Sequence, residues 1–257
     1  MEIELKENER IDDLQLEGLK IIQNKDWFCF GIDSVLLSDF AKDIPANSRV
    51  LDLGTGTGIL GILLCGKTSL TEIYGIDIQE EVCEMASRSI RLNNLEDRFK
   101  IINKNIKDLN TVFEENSFDV VISNPPYKKD KSGLKNESET KLISRHEISA
   151  SLEDFIKVSS KLLKYNGNLY MVHRPERLSD LFCLLRNYNL EPKKLRLVYS
   201  YANSKPKLIL VKATKNAKSF LNIDEPLIIY NKDGSYTDEI FRIYGKKGVW
   251  KCLELYT

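Results

Sequence analysis

The stretch "RVLDLGTGTGIL", residues 49–60, limits the fold more than any other part of this chain. A short apolar run ends in Asp52, and glycines then stand at positions 54, 56 and 58 before the apolar "ILGILLCGK" begins. Glycine takes positive φ without a Cβ penalty and lets the backbone approach a ligand closely. A strand that breaks into such a turn and passes straight into a helix is the opening unit of an α/β sheet. Ligands of such sheets sit beyond the carboxyl ends of the strands. The spacing G-x-G-x-G differs from the G-x-G-x-x-G of dinucleotide sites, which argues against nicotinamide or flavin binding.

From this unit onward, strand-like and helix-like periods alternate. Further strands are expected at "EIYGIDI", "RFKIIN", "FDVVIS" and "GNLYMVH". Helices are expected at "ILGILLCGK", "EEVCEMASRSIRLNN", "SLEDFIKVSSKLLK" and "ERLSDLFCLLRNY", the third opened by Ser151 as N-cap with Asp154 three residues on. "KLRLVYS" and "KLILVKA" are joined too closely for a helical crossover, so they run antiparallel. Ahead of residue 48, "WFCFGIDSVLLSDFA" reads as a helix packed on the sheet; the alternative is a flap over a ligand, faced by Phe28, Phe30 and Asp33. The tail "PLIIYNKDGSYTDEIFRIYG" carries a turn signal at Asp233-Gly234, and its place in the fold stays open. Without a repeat or linker, residues 1–257 are expected to form a single domain. In it, 1–47 is an extension on or over the site and 215–257 is a tail.

With 38 basic and 38 acidic side chains, the chain has no overall attraction for nucleic acid, so any such contact must be local. Lys128, Lys129, Lys131, Lys135, Lys141 and Arg145 gather in one polar stretch, for which a solvated loop is the ordinary reading. The five cysteines are scattered and never form C-x-x-C, while His146 and His173 stand alone; neither a disulfide framework nor a metal site is expected. The first segment is charged with both signs, and no apolar run reaches membrane-spanning length. A cytoplasmic protein without a membrane partner is therefore expected.

Two further places carry chemistry. Asp77 ends the strand after the glycine turn, about 25 residues beyond Asp52, where a carboxylate can accept both hydroxyls of a ribose. The second is "SNPPYKK", residues 123–129, directly after the apolar run of Phe118, Val120, Val121 and Ile122. Adjacent prolines cannot donate to a ladder, so the strand ends there, and Asn124 and Tyr127 are held on a stiff backbone. A conjugated amine or amide nitrogen is a poor nucleophile. The Asn124 carbonyl and the Pro125 backbone carbonyl, both accepting from one NH₂, would draw it toward pyramidal geometry and free its lone pair. Pro126 stiffens this clamp, and Tyr127 offers a flat face for a flipped-out base. A cytosine-C5 transfer would need a thiolate, and no cysteine stands near this motif.

"LDLGTGTG", "GIDIQ" and "SNPPY" resemble, in order and spacing, the motifs of class I S-adenosylmethionine-dependent methyltransferases. The resemblance implies an α/β, Rossmann-like, doubly wound sheet of seven mostly parallel strands with one antiparallel strand and helices on both faces. It implies S-adenosylmethionine as cofactor, with Asp52, Gly54, Thr55, Gly56 and Gly58 along the methionine part, Asp77 on the ribose and Ile78 on the adenine. Asn105 stands where such enzymes usually carry an acidic residue, with Asp108 nearby; Ile106 and Asp33 complete the expected cofactor set. The Asn-Pro-Pro-Tyr clamp is shared by adenine-N6 enzymes of DNA and RNA and by enzymes that methylate release-factor glutamines.

Over nearly its whole length the chain is most similar to the small bacterial transfer-RNA methyltransferases that act on adenosine 37 of a valine tRNA. "FCFGIDSVLLSDFA", "SNPPYKK", "SRHE", "MVHRPERL" and "PLIIYNKDGSYTDEI" carry this similarity. It implies a monomer with a tRNA partner and no metal, with Lys128, Lys129, Arg145 and Arg174 as RNA contacts. Methylation of a protein glutamine, of another RNA or of DNA is the alternative, and an inactive cofactor-binding scaffold is a third.

Overall fold

The fold comes from a computed structural model, in which residues 4–27, 29–127 and 150–245 are described. Phe28, His146, Cys252 and the basic residues expected between 128 and 145 lie outside these.

The strands are β1 (Glu9–Asp13), β2 (Lys20–Asn24), β3 (Arg49–Leu53), β4 (Glu72–Asp77), β5 (Phe99–Asn103), β6 (Phe118–Ser123), β7 (Leu163–His173), β8 (Leu190–Tyr199), β9 (Pro206–Lys215), β10 (Asn222–Ile223) and β11 (Leu227–Ile228). The helices are α1 (Ile32–Phe40), α2 (Ile59–Lys67), α3 (Glu80–Leu92), α4 (Leu152–Leu162), α5 (Leu178–Asn187) and α6 (Asp238–Ile243). A 3₁₀ segment covers Ile106–Thr111.

The main sheet runs β10-β8-β9-β7-β6-β3-β4-β5, with β11 also on β8. β9 alone opposes both of its neighbours, β7 and β8, as the short connection required. Among the described residues the main sheet has nine strands, which corrects the expected seven. The two additions are two-residue strands from the tail that pair parallel to the outer edge of β8 and cover its unpaired backbone groups. Among the described residues, the tail turns at Gly234, where Tyr230 bridges Tyr236, and goes on into α6.

Side-chain alternation along the strands divides the core into two layers. Val50, Val120, Ile122, Tyr170, Val172, Leu208 and Leu210 face α1, α2, α3 and α6. Leu51, Leu53, Val121, Leu169, Met171, Ile209 and Val211 face α4 and α5. α1 therefore packs on the sheet, with Val35, Leu36 and Leu37 fully buried. Its first turn also reaches the end of β6, where Asp33 Oδ2 lies 2.9 Å from the Tyr127 hydroxyl. The β1–β2 hairpin is tied to α3 by Arg88, whose guanidinium donates to Glu9 at 2.5 and 2.6 Å. Strand order reverses at β3, which has β4 on one side and β6 on the other. By the rule for open α/β sheets, that switch point is where a ligand crevice is expected, at the carboxyl ends of the strands.

Candidate active site

The turn after β3 is built from backbone that only glycine holds without strain. Gly54, Gly56 and Gly58 have φ of 71, 54 and 82°. Gly54 and Thr55 both donate their N–H to the Ile76 carbonyl at 2.9 Å, which fastens the turn to β4. Gly56 N–H donates to Asp77 Oδ2 at 3.0 Å, and Gln79 N–H donates to Oδ1 at 3.0 Å. A Cβ on Gly56 would meet nothing within 4 Å, so the turn presents open space beside the Asp77 carboxylate. Next to it Ile78 is 42% exposed, a bare apolar surface at the strand end.

Asp52 is fully buried; its Oδ2 accepts the Thr55 hydroxyl at 2.6 Å, and its Oδ1 has no partner. Burial first, and the Asp77 charge second, push its carboxyl up to about 7 against the Thr55 hydrogen bond. A buried acceptor left open in this way suits a cationic group. The open cradle over Gly56, the orphaned Asp52 oxygen and bare Ile78 fit a ligand that carries an ammonium, a ribose and a flat base. Asn105 caps the 3₁₀ segment, its Oδ1 accepting from Lys107 N–H at 3.0 Å, and Ile106 is buried behind it. Sequence reasoning missed Asn103, whose Nδ2 donates to the Asp77 carbonyl at 3.1 Å and steadies the end of β4.

The Asn-Pro-Pro-Tyr segment lies against this crevice. Buried Ser123 donates its hydroxyl to the Leu53 carbonyl at 2.8 Å, which locks the end of β6 to the end of β3. Asn124 Nδ2 donates to Ser34 Oγ at 3.3 Å, and Tyr127 Oη lies 2.6 Å from Asn124 Oδ1 and 2.9 Å from Asp33 Oδ2. Burial, and then the Asp33 charge, raise the Tyr127 phenol, so it keeps its proton. Asp33 thus stands on the β6 side of the crevice, against the clamp. His173 meets the Tyr127 ring edge-on at 5.4 Å, and the Arg174 guanidinium lies 5.1 Å from the ring centre. Arg174 occupies one face of the ring expected to carry a base. Burial first, then the charge of Arg177, lower His173 to about 4, so its imidazole is neutral near pH 7.

Residues 31–180 match the methyltransferase small domain family. The chain belongs to this family. A relative from Porphyromonas gingivalis, named tRNA1(Val) (adenine(37)-N6)-methyltransferase, is 31% identical, over 83% of this chain and 86% of its own length. A Flavobacterium johnsoniae protein of the same name is 26% identical over 88% of this chain and 94% of its own. Among solved structures, a predicted O-methyltransferase from Agrobacterium tumefaciens superposes with a TM-score of 0.68 at 20% identity, covering 83% of this chain and 95% of that one. Methanocaldococcus jannaschii Trm5 in complex with adenosine gives 0.59 at 17% identity, covering 83% of this chain and 57% of that one. These structures support the Rossmann-like methyltransferase fold.

In this methyltransferase Arg174 is held on the structure, its Nη1 donating to the Lys207 carbonyl at 3.4 Å. Lys128, Lys129 and Arg145 lie outside the described residues. Among the described residues there is no cluster of His, Cys, Asp and Glu fit for a metal, and no helix long and apolar enough to cross a membrane. Cys65 and Cys83 are buried, and burial pushes both thiols up to about 11, which keeps them unreactive.

Proposed function

We propose that this enzyme transfers the methyl group of S-adenosylmethionine to the exocyclic N6 of an adenine in tRNA, adenosine 37 of a valine tRNA. The observation that carries the reading is the Ser123 bridge. It sets the Asn124 amide beside a glycine turn whose surroundings suit the cofactor. The names of the relatives at 26–31% identity supply the substrate.

Bound S-adenosylmethionine supplies an electrophilic methyl on its sulfonium. The chain's own residues bind and orient. Asp52 would turn its unpaired oxygen to the ammonium, Asp77 would offer its remaining lone pairs to the ribose, and exposed Ile78 with buried Ile106 would give the adenine an apolar seat. Asn105, with Oδ1 engaged on Lys107, presents its amide NH₂. The Asn124 and Pro125 carbonyls accept the two hydrogens of the target amine, which loosens its conjugation and aims its lone pair, and the methylated nitrogen, acidic while it is cationic, then loses one of these protons to water; positioning of this kind supplies much of a transfer rate. Neutral His173 and the Tyr127 phenol stay in fixed protonation states near pH 7, so the site holds its geometry without a strong base. The same reading makes the protein a cytoplasmic monomer of one domain, with Arg174 among its RNA contacts.

Transfer of labelled methyl from S-adenosylmethionine to total tRNA of a strain lacking this protein, followed by nucleoside analysis, tests the reading. N6-methyladenosine in valine tRNA is expected. Label in a release-factor glutamine and none in tRNA would replace the substrate while leaving the clamp intact.

A further inference from the structure

The first turn of α1 lies outside the glycine turn and outside the Asn-Pro-Pro-Tyr motif, yet two of its side chains reach the clamp. Asp33 and Ser34 are 8 and 3% exposed, so both are withheld from solvent at the rim of the site. Ser34 Oγ accepts Asn124 Nδ2–H at 3.3 Å, which turns the other end of the amide, Oδ1, toward Tyr127. Asp33 is itself anchored, Oδ1 accepting Ser34 N–H at 2.9 Å, while Oδ2 is 2.9 Å from the Tyr127 hydroxyl.

Tyr127 has one hydroxyl proton and two acceptors, Asn124 Oδ1 at 2.6 Å and Asp33 Oδ2 at 2.9 Å. Whichever takes the proton, the other is left free. A proton resting on Asn124 draws density from the oxygen that must accept the substrate amine. A carboxylate is the stronger acceptor and competes for that proton.

We infer that Asp33 and Ser34 are positioning residues for methyl transfer to the amine: Ser34 fixes which end of the Asn124 amide faces the substrate, and Asp33 takes the Tyr127 hydroxyl bond so that Asn124 Oδ1 is released to the amine. This rests on the amine-methylation reading above. It moves Asp33 from the expected cofactor set to the clamp.

The experiment compares Ser34→Ala, Ser34→Thr, Asp33→Asn and Asp33→Ala with the unaltered enzyme. It measures kcat and KM for methyl transfer to tRNA and to a glutamine peptide, and S-adenosylhomocysteine affinity by calorimetry. Ser34→Ala and Asp33→Asn are expected to lower kcat by ~10- to 100-fold. KM and S-adenosylhomocysteine affinity should change less than threefold, and Ser34→Thr should restore most of the rate. Asp33→Asn keeps an acceptor but loses the charge, so its rate should fall nearly as far as that of Asp33→Ala. A loss of S-adenosylhomocysteine affinity with kcat unchanged would make Asp33 a cofactor ligand and overturn the inference, as would unaltered kinetics in Ser34→Ala and Asp33→Asn. If the unaltered enzyme labels the peptide and not tRNA, the substrate reading fails while the positioning test is read on glutamine. Labelling of neither sinks both.

Discussion

At the scale of single residues, the proposed mechanism divides the site into groups that bind and groups that orient. Asn124→Ala should lower kcat by ~10²-fold or more while leaving S-adenosylhomocysteine affinity intact, because the role proposed for the amide is on the amine and not on the cofactor. Calorimetry beside a turnover assay checks this, and parallel loss of both would remove the assigned role. Asp52 sets a pH dependence whose sign is opposite to that of an ordinary salt-bridged carboxylate. Its folded value, about 7, lies above the ordinary 3.8, so its contribution to stability is fully present below pH 4 and lost as pH rises through 7. The shift amounts to at most about 4 kcal/mol. Melting of the ligand-free protein should therefore carry a decline from pH 4 to 7 that levels off above, and Asp52→Asn should flatten that decline. The motif "LDLGTGTG" made Asp52 visible as a candidate. Nothing in it showed that one oxygen would be orphaned, because the orphan arises from β4 and β6 closing over β3.

Among the elements, local signals and packing signals part company. Ser151 was readable as a cap, and the folded chain shows the full box: Ser151 Oγ accepts Asp154 N–H at 3.2 Å, and Asp154 Oδ2 accepts Ser151 N–H at 2.8 Å. Ser151→Ala should lower stability by about 1 kcal/mol in urea unfolding. Gly61 in α2 gave no such signal. An alanine Cβ there would lie 2.3 Å from the Phe99 ring of β5, so this helix can approach the sheet only without a side chain at that point. Helix propensity favours alanine by about 1 kcal/mol, but overpacking costs about 1–3 kcal/mol. Gly61→Ala should thus shift the urea midpoint downward, and an upward shift would show that Phe99 moves aside freely. The helix α1 was legible as a packed helix from its apolar period. That its first turn also touches Asn124 and Tyr127 depends on residues about 90 positions apart in sequence, a relation no local pattern encodes.

For the whole molecule, zero net charge means that RNA binding must rest on a few local contacts. The logarithm of the tRNA association constant should fall linearly with the logarithm of salt concentration, with a slope of about −0.7 per phosphate neutralised. Arg174→Ala should reduce the slope by about one such unit, measured by filter binding across a salt series; an unchanged slope would confine Arg174 to its place on Tyr127 and Lys207. Alternation of period and the glycine turn determined the α/β class, and with Asp77 and the Asn-Pro-Pro-Tyr segment they carry the proposed site at the strand ends and its amine chemistry. Each is a local matter of backbone freedom, side-chain spacing or a missing N–H donor. Only the tertiary structure decided that the tail would add β10 and β11 to the edge of β8, and that Asp33 and Ser34 would close on Asn124 and Tyr127. Both results follow from long-range packing, in which an open sheet edge and a half-buried hydroxyl take whichever partners the closed core brings within reach.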